Sequence, residues 1–453
     1  MDTILQEIYS LNKAQMEKCA KYVMLGGGTR GGPVLARGKG VRVWDIDGKD
    51  YIDCTSQSWA LYLGHANNEI NQVIREHIES MTHIHQGFDT RPRFYLARKL
   101  AQLAPGSLKR ISFTVGGSAA IEAAMKICIK NVSPARDFVC LYDSYHGTTL
   151  GVMGGSWVST RSNGKYIGGS HFLPLTRPFI RIPNAYTYCN PFGVDAETYI
   201  DMCLTMARET FERGIAGKPA GVIVECIQAS AGQIIMPKRY LEGLRRLCDE
   251  FETLLVFDEI QTFARIGEMF AADYFGVIPD IIVLGKGLGA GLPLACIIIS
   301  DKLKGFDPDT EELHTFASPT LSMVTAAKQI ALLESGVLEN CRKMGQYLGD
   351  HLKAMMTEYP EIGEVRQAGL HIGVEFVSDP KSKNPLVTET MALRDAGLKN
   401  GVIFGLGGVR RNVLKIKPPL IVSRKECDEI LEKFEKSMRA VLRKYPCKIT
   451  NII

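Results

Sequence analysis

The stretch that decides the fold is Leu254-Leu255-Val256-Phe257-Asp258-Glu259-Ile260-Gln261-Thr262, followed by Gly276-Val277-Ile278-Pro279-Asp280 and then Ile281-Ile282-Val283-Leu284-Gly285-Lys286-Gly287. Leu254–Phe257 and Ile281–Leu284 are short, apolar and partly β-branched or aromatic, and Gly221–Val224 shares that texture. Helix-length sequence separates each run from the next. Buried parallel strands read this way, because helices cover both faces of such a sheet. Each run ends on a polar residue: Glu225 after the first, Asp258 and Glu259 after the second, Lys286 after the third. In an open parallel sheet, ligands bind beyond the carboxyl ends of the strands.

The pattern extends outward from there. Ile111–Val115 is another apolar run, followed by Gly116-Gly117-Ser118 and a helical pattern from Ala119 to Ile129. Phe138–Tyr142 leads into Ser144, Tyr145, His146 and Gly147. Earlier, Val41–Asp45 and Tyr51–Asp53 flank the turn Asp47-Gly48-Lys49-Asp50 and predict a hairpin, with helices at Glu69–Ser80 and Phe94–Leu103. Later come a helix at Met323–Ser335, strands at Glu364–Gln367, His371–Val377 and Leu414–Lys417, and helices at Asn340–Glu358, Thr388–Asn400 and Lys425–Lys444. The expected architecture is α/β. A large domain, residues 61–320, carries a mostly parallel sheet flanked by helices. A smaller α+β domain is formed by the N-terminal segment, 1–60, and the C-terminal segment, 321–453.

Composition bounds the function. The chain has 453 residues, 45% hydrophobic and 23% charged, which excludes a disordered chain or a coiled coil. A length of this order corresponds to roughly two or three domains. Lys plus Arg number 54 and Asp plus Glu 49, a net charge of +5, too mild to forecast a nucleic-acid or membrane partner. The 12 cysteines form no CxxC pair, and Met1–Ser10 carries Asp2 and Glu7 rather than a basic-then-apolar leader. Scattered thiols without a leader point to a reducing, cytoplasmic setting. The apolar stretch Ile278–Ile299 is broken by Asp280, Lys286 and four glycines, so it is not expected to span a membrane. Lys286 therefore needs another explanation.

Taken singly, each rim residue has a plain reading: a helix cap, an ion-pair partner, a turn. Taken together they suit pyridoxal 5'-phosphate. That cofactor needs an amine for a Schiff base, a carboxylate to keep its ring nitrogen protonated, an aromatic face, and a helix N-terminus for its phosphate. Lys286, Asp258, Tyr145 or His146, and Gly117 with Ser118 supply these in order. His83 and His85 lack a third partner at metal spacing, and no metal is expected.

On these motifs the chain, from about Gly32 to Leu442, resembles the class III (omega) aminotransferases of the aspartate-aminotransferase fold type. The resemblance implies Lys286 as the covalent anchor and proton shuttle, Asp258 at the pyridine nitrogen and Gln261 near the ring hydroxyl. Tyr145-His146-Gly147 is similar to the ring-stacking segment, Gly117 and Ser118 to the phosphate turn, and Glu225 belongs to the same cofactor-facing rim. Thr315, in His314-Thr315-Phe316, matches the threonine that reaches the phosphate of a neighbouring subunit, implying a homodimer, or a tetramer, with shared sites. The implied reaction moves an amino group from an amine or amino acid to an oxo-acid.

Departures from the family pattern concern specificity. Ala119 replaces a glutamate common after the phosphate-loop Ser/Thr. Ser230 stands where many members have a glutamate, and Lys415 where many have the arginine that clamps an α-carboxylate. An ammonium cannot give a guanidinium's planar bidentate clamp. Lys415 and Lys417 read equally as solvated strand positions, and Arg410 and Arg411 as a solvent-facing pair. Trp59 falls where the family places pocket residues, although it reads equally as core. The same cofactor residues serve amino-acid or lactam racemases and amine phospho-lyases, which remain alternatives.

Overall fold

The computed structural model describes residues 2–24, 32–157, 172, 174–308 and 310–442; Cys447 and the end of the last expected helix lie outside these. The three strands of the opening stretch sit side by side and parallel. Leu254 pairs with Gly221 at one edge, and Asp258 with Val283 at the other. They form the middle of a seven-stranded sheet. Its order is Leu108–Thr114, Ala295–Ser300, Ile281–Leu284, Leu254–Asp258, Gly221–Val224, Phe138–Leu141, Ile180–Ile182. Ala295–Ser300 runs antiparallel to both neighbours and was not anticipated as a strand. Its residues are all buried, and in the sequence it forms the far end of the mostly apolar stretch Ile278–Ile299.

Both sheet faces are covered. Along the Leu254–Asp258 strand, Leu255 and Phe257 enter one apolar core and Val256 the other. This alternation follows from the period-two geometry of a strand. On one face lies the helix Gly117–Asn131, which turns Ala120, Ala123, Ala124 and Cys128 inward. These small side chains let the helix approach closely. Each large apolar side chain sealed in such a core contributes about 1.5–3 kcal/mol.

Two smaller sheets complete the molecule. Leu35–Lys39, Arg42–Asp45 and Asp50–Asp53 form the expected hairpin region, joined by Val402–Ile403 running parallel to Asp50–Asp53. Ile362–Ala368, His371–Phe376, Val413–Ile416 and Gly405–Gly407 form an antiparallel sheet. Helix Leu338–Met355 packs on its edge strand, and Val387–Lys399 packs on Arg424–Leu442.

The helices expected at Met323–Ser335 and Asn340–Glu358 are nearly continuous. Thr320–Leu332 passes through a π-turn at Leu333–Val337 into Leu338–Met355, with Gly336 at φ 134°. This stretch is long and apolar enough to cross a bilayer by composition. Here it packs against Asn68–Ile78 and Arg91–Leu103.

Arg265 binds these parts together. It is fully buried, donates from Nη1 to Pro418 O at 2.9 Å and from Nη2 to Ser56 Oγ at 3.1 Å, and lies over the Tyr62 ring at 4.9 Å. Burial holds its guanidinium below its ordinary pKa. Replacing it strands buried acceptors, each costing about 1–3 kcal/mol. Arg265→Met is therefore expected to lower stability by about 3 kcal/mol, read as a depressed thermal unfolding midpoint with far-ultraviolet dichroism unchanged at low temperature.

Candidate active site

The strand ends deliver their polar residues to one rim. Asp258 closes its strand, and Oδ2 lies 2.8 Å from His146 Nδ1 while Oδ1 accepts from Ile260 N at 3.1 Å. His146 is itself fixed, since Ser156 Oγ accepts from the His146 and Gly147 amides at 2.9 and 3.1 Å. With Nδ1 on Asp258, His146 Nε2 is left buried without a partner among the described residues. Tyr145 is half-buried beside it. Glu225 is buried and accepts from Tyr145 N at 2.8 Å and Ala229 N at 3.3 Å.

Lys286 opens a short 3-10 turn with a left-handed backbone, φ 44°. The turn is pinned from below by Thr325 Oγ1, which donates to Gly289 O at 3.1 Å. A side chain at Gly287 would run into the Tyr62 ring. Nothing among the described residues hydrogen-bonds or ion-pairs Lys286 Nζ. Burial lowers its pKa, while Asp258 and Glu225 oppose that. An amine shifted in this direction is a better proton acceptor near neutrality.

Glu225 moves the other way, pushed up to about 7, chiefly by burial and also by Asp258. Glu259 rises to about 8 through burial, even though its carboxylate accepts from Ala271 N and, at 3.0 Å, from Ala272 N.

The phosphate-type elements also converge. Helix Gly117–Asn131 begins without a side-chain cap, leaving its first amides free. Gly147, at φ 122°, sits so close to Ser118 that a Cβ there would overlap Ser118 Oγ. Thr315 lies apart, exposed on a turn beside Leu313 and Phe316, which are also exposed. His314 N anchors that turn on Gln86 Oε1 at 2.8 Å.

The specificity positions form a second wall. Lys415 and Lys417 are not solvated: they are 3% and 0% exposed. Lys415 lies in the strand Val413–Ile416 and Lys417 directly follows it, and both amines meet the Trp59 ring, at 4.8 and 4.7 Å. Neither has an acidic partner within ion-pair distance among the described residues. Burial brings Lys415 down to about 8, and Lys417 well below its ordinary value. A side chain at Gly405 or Gly407 would strike the Lys415 stem, so these glycines leave its channel open.

Trp59 ends a run of four left-handed residues, Ser56, Gln57, Ser58 and Trp59, with φ from 45° to 67°. Left-handed backbone costs about 1–2 kcal/mol per non-glycine residue. Asp53 offsets it by accepting from Thr55 N at 2.8 Å, Gln57 N at 3.2 Å and Gln57 Nε2 at 3.1 Å.

Ser230 accepts from Trp157 Nε1 at 3.1 Å, and Arg366 Nε fixes its loop through Gly232 O at 2.9 Å. Gln261 accepts from Lys417 Nζ at 3.2 Å. Sequence reasoning missed Ser156, Trp157 and His371, and weighed Lys417 only as a surface residue. The two-residue spacing from Lys415 was the available signal.

Arg410 and Arg411 are exposed, as read. His83 faces the Phe316 ring and His85 Nδ1 accepts from Gly87 N, and no metal-ligating cluster occurs among the described residues.

An amine free of partners, a carboxylate braced by an imidazole, and an uncapped helix start with room left by Gly147 fit pyridoxal phosphate. Such a set is what an α/β enzyme binding that cofactor at a sheet rim would present. The chain belongs to the class III aminotransferases, whose family model matches residues 30–438. It is 31% identical to a leucine/methionine racemase of Thermococcus litoralis, over 90% of this chain and 91% of that one. It is 30% identical to a taurine–pyruvate aminotransferase of Bilophila wadsworthia, over 91% and 93%. Its fold matches an (S)-enantioselective omega-transaminase of Thermomicrobium roseum with a TM-score of 0.85 at 28% identity, covering 95% of this chain and 99% of the other. The chain is accordingly a pyridoxal-phosphate-dependent transaminase.

Glu225 supplies a pH test. Its carboxyl binds a proton more tightly in the folded protein than in the unfolded chain, so its contribution to stability is present at low pH and is lost as pH rises from about 4.5 toward about 7. Glu225→Gln should flatten that decline in the cofactor-free protein, measured as the unfolding midpoint across pH.

Proposed function

We propose that the enzyme transaminates amines that carry an anionic group, accepting the amine on an oxo-acid, and works as a homodimer with shared active sites. The single observation behind the substrate class is Lys415, a buried amine on the site's wall with no acidic partner among the described residues. A carboxylate or sulfonate on the substrate would complete it with a charge-assisted hydrogen bond. Trp59 and Ser230 narrow the space beside it.

When bound, pyridoxal phosphate supplies the electron sink that stabilises a carbanion at the substrate's α-carbon. The chain's residues do the rest. Lys286 would hold the cofactor covalently, and its free amine would take the Cα proton and return it. Its lowered pKa suits that duty. Asp258, braced by His146, holds the proton on the ring nitrogen. Tyr145 offers its ring face, since His146 is occupied with Asp258. Gln261 meets the ring hydroxyl, and Glu225 keeps the Tyr145 amide in place. Gly117 and Ser118 hold the phosphate together with Thr315 of the neighbouring copy. The exposed apolar cluster Leu313 and Phe316 beside Thr315 supports burial against a second copy. A cytoplasmic location accords with the reduced thiols.

Racemisation is the competing reading, supported by the racemase relative and by the lysine in place of arginine. Mixing the loaded enzyme with an amine in the absence of an oxo-acid separates the two. Stoichiometric conversion to the aminated cofactor supports transamination. Solvent deuterium entering Cα without that conversion supports racemisation.

Lys286→Ala is expected to abolish turnover and the absorbance of the covalently held cofactor; retained activity would remove the site assignment. Lys415→Met should raise KM for anionic amines about 10-fold or more while leaving neutral amines little affected, measured by steady-state kinetics on paired substrates.

A further inference from the structure

Lys417 has no place in the scheme above, yet it is among the largest fully buried side chains of the molecule. Its Nζ lies 3.2 Å from Gln261 Oε1, 3.2 Å from His371 Nε2 and 4.7 Å from the Trp59 ring. Burial and the neighbouring Lys417 hold His371 well below its ordinary pKa, which favours an uncharged imidazole facing the amine. The lysine therefore has two anchors, one on each side.

An amide has one accepting end and one donating end, nearly identical in shape. In the structure the Lys417 amine donates to Oε1, which places the oxygen on the lysine's side. With Oε1 committed to Lys417, the Nε2 protons of Gln261 are directed away from the lysine. Without that donor the amide is free to turn over. Its oxygen would then face the ring oxygen of the cofactor, two acceptors opposed.

We propose that Lys417 is a positioning residue that sets the Gln261 amide with its Nε2 protons toward the ring oxygen of the cofactor. This rests on the reading of Gln261 given above. A donor to that oxygen stabilises its anionic form. Lys417 thus reaches the cofactor through one amide, and it directly follows the strand Val413–Ile416 that carries Lys415. Substrate recognition and cofactor ionisation would meet at one strand end.

The experiment loads each variant with pyridoxal phosphate and titrates the visible band of the bound cofactor against pH. Cofactor affinity is measured by equilibrium binding of pyridoxal phosphate itself. Lys417→Met should move the band's midpoint upward by about half a unit to one unit and weaken cofactor binding about fivefold. Gln261→Leu should move the midpoint the same way and at least as far. In the Gln261→Leu background, Lys417→Met should add no further shift. A shift in Gln261→Leu but none in Lys417→Met would overturn the proposal and leave the reading of Gln261 standing. No shift in Gln261→Leu would remove that reading and the proposal with it. Shifts that add in the double variant would mean that Lys417 acts on the cofactor by charge alone, which also overturns it. His371→Leu, which releases the second anchor without touching Gln261, should move the midpoint upward by less. It carries the test if Lys417→Met does not fold, and an unmoved midpoint there overturns the proposal.

Discussion

The structure turns on keeping two acids and one amine out of water at adjacent strand ends. Glu225, Asp258 and Lys286 each follow a run of buried apolar residues, and parallel register brings the three runs level. Burial alone would neutralise such groups. Asp258 is held by the His146 imidazole and a backbone amide, Glu225 by two amides, while Lys286 is left without a hydrogen bond. The asymmetry is chemical: the acids are braced in position, and the amine is free to react.

That core of the site was legible in the sequence because apolar runs and the polar residues after them are local features. Asp258 and Lys286 could be placed at one rim from strand order alone, and the glycines around Lys286 marked close packing. The strand Ala295–Ser300 was hidden because it directly extends the same apolar tract. The left-handed run at Ser56–Trp59 was hidden for another reason. None of its residues favours that backbone, which is imposed by Asp53 through contacts no local propensity encodes. Lys415 read equally as a substrate contact and, with Lys417, as a solvated strand position, since a lysine flank usually is solvated. The burial of Lys415 goes with glycines at 405 and 407 on a neighbouring strand, which clear the channel for its stem.

The family's arginine-and-glutamate arrangement is absent at the specificity wall. Two amines meet one indole ring there, without an acidic ion-pair partner among the described residues. Burial lowers the proton affinity of both amines, and at Lys417 the neighbouring Lys415 adds to the effect. An anionic group entering this space would relieve both strains at once. Under the proposed substrate class, selectivity would arise from an uncompensated charge rather than from a shaped clamp. Such a wall discriminates by the sign of charge more than by geometry.

The backbone at Trp59 carries an engineering consequence. A left-handed residue is strained for every side chain with a Cβ and relaxed for glycine. At most positions, emptying a pocket sacrifices stability, because lost packing has no counterweight. At position 59 the smallest residue is also the one the backbone prefers. Pocket volume and conformational ease therefore rise together there, and the indole that closes the wall is the feature this scaffold could most cheaply give up.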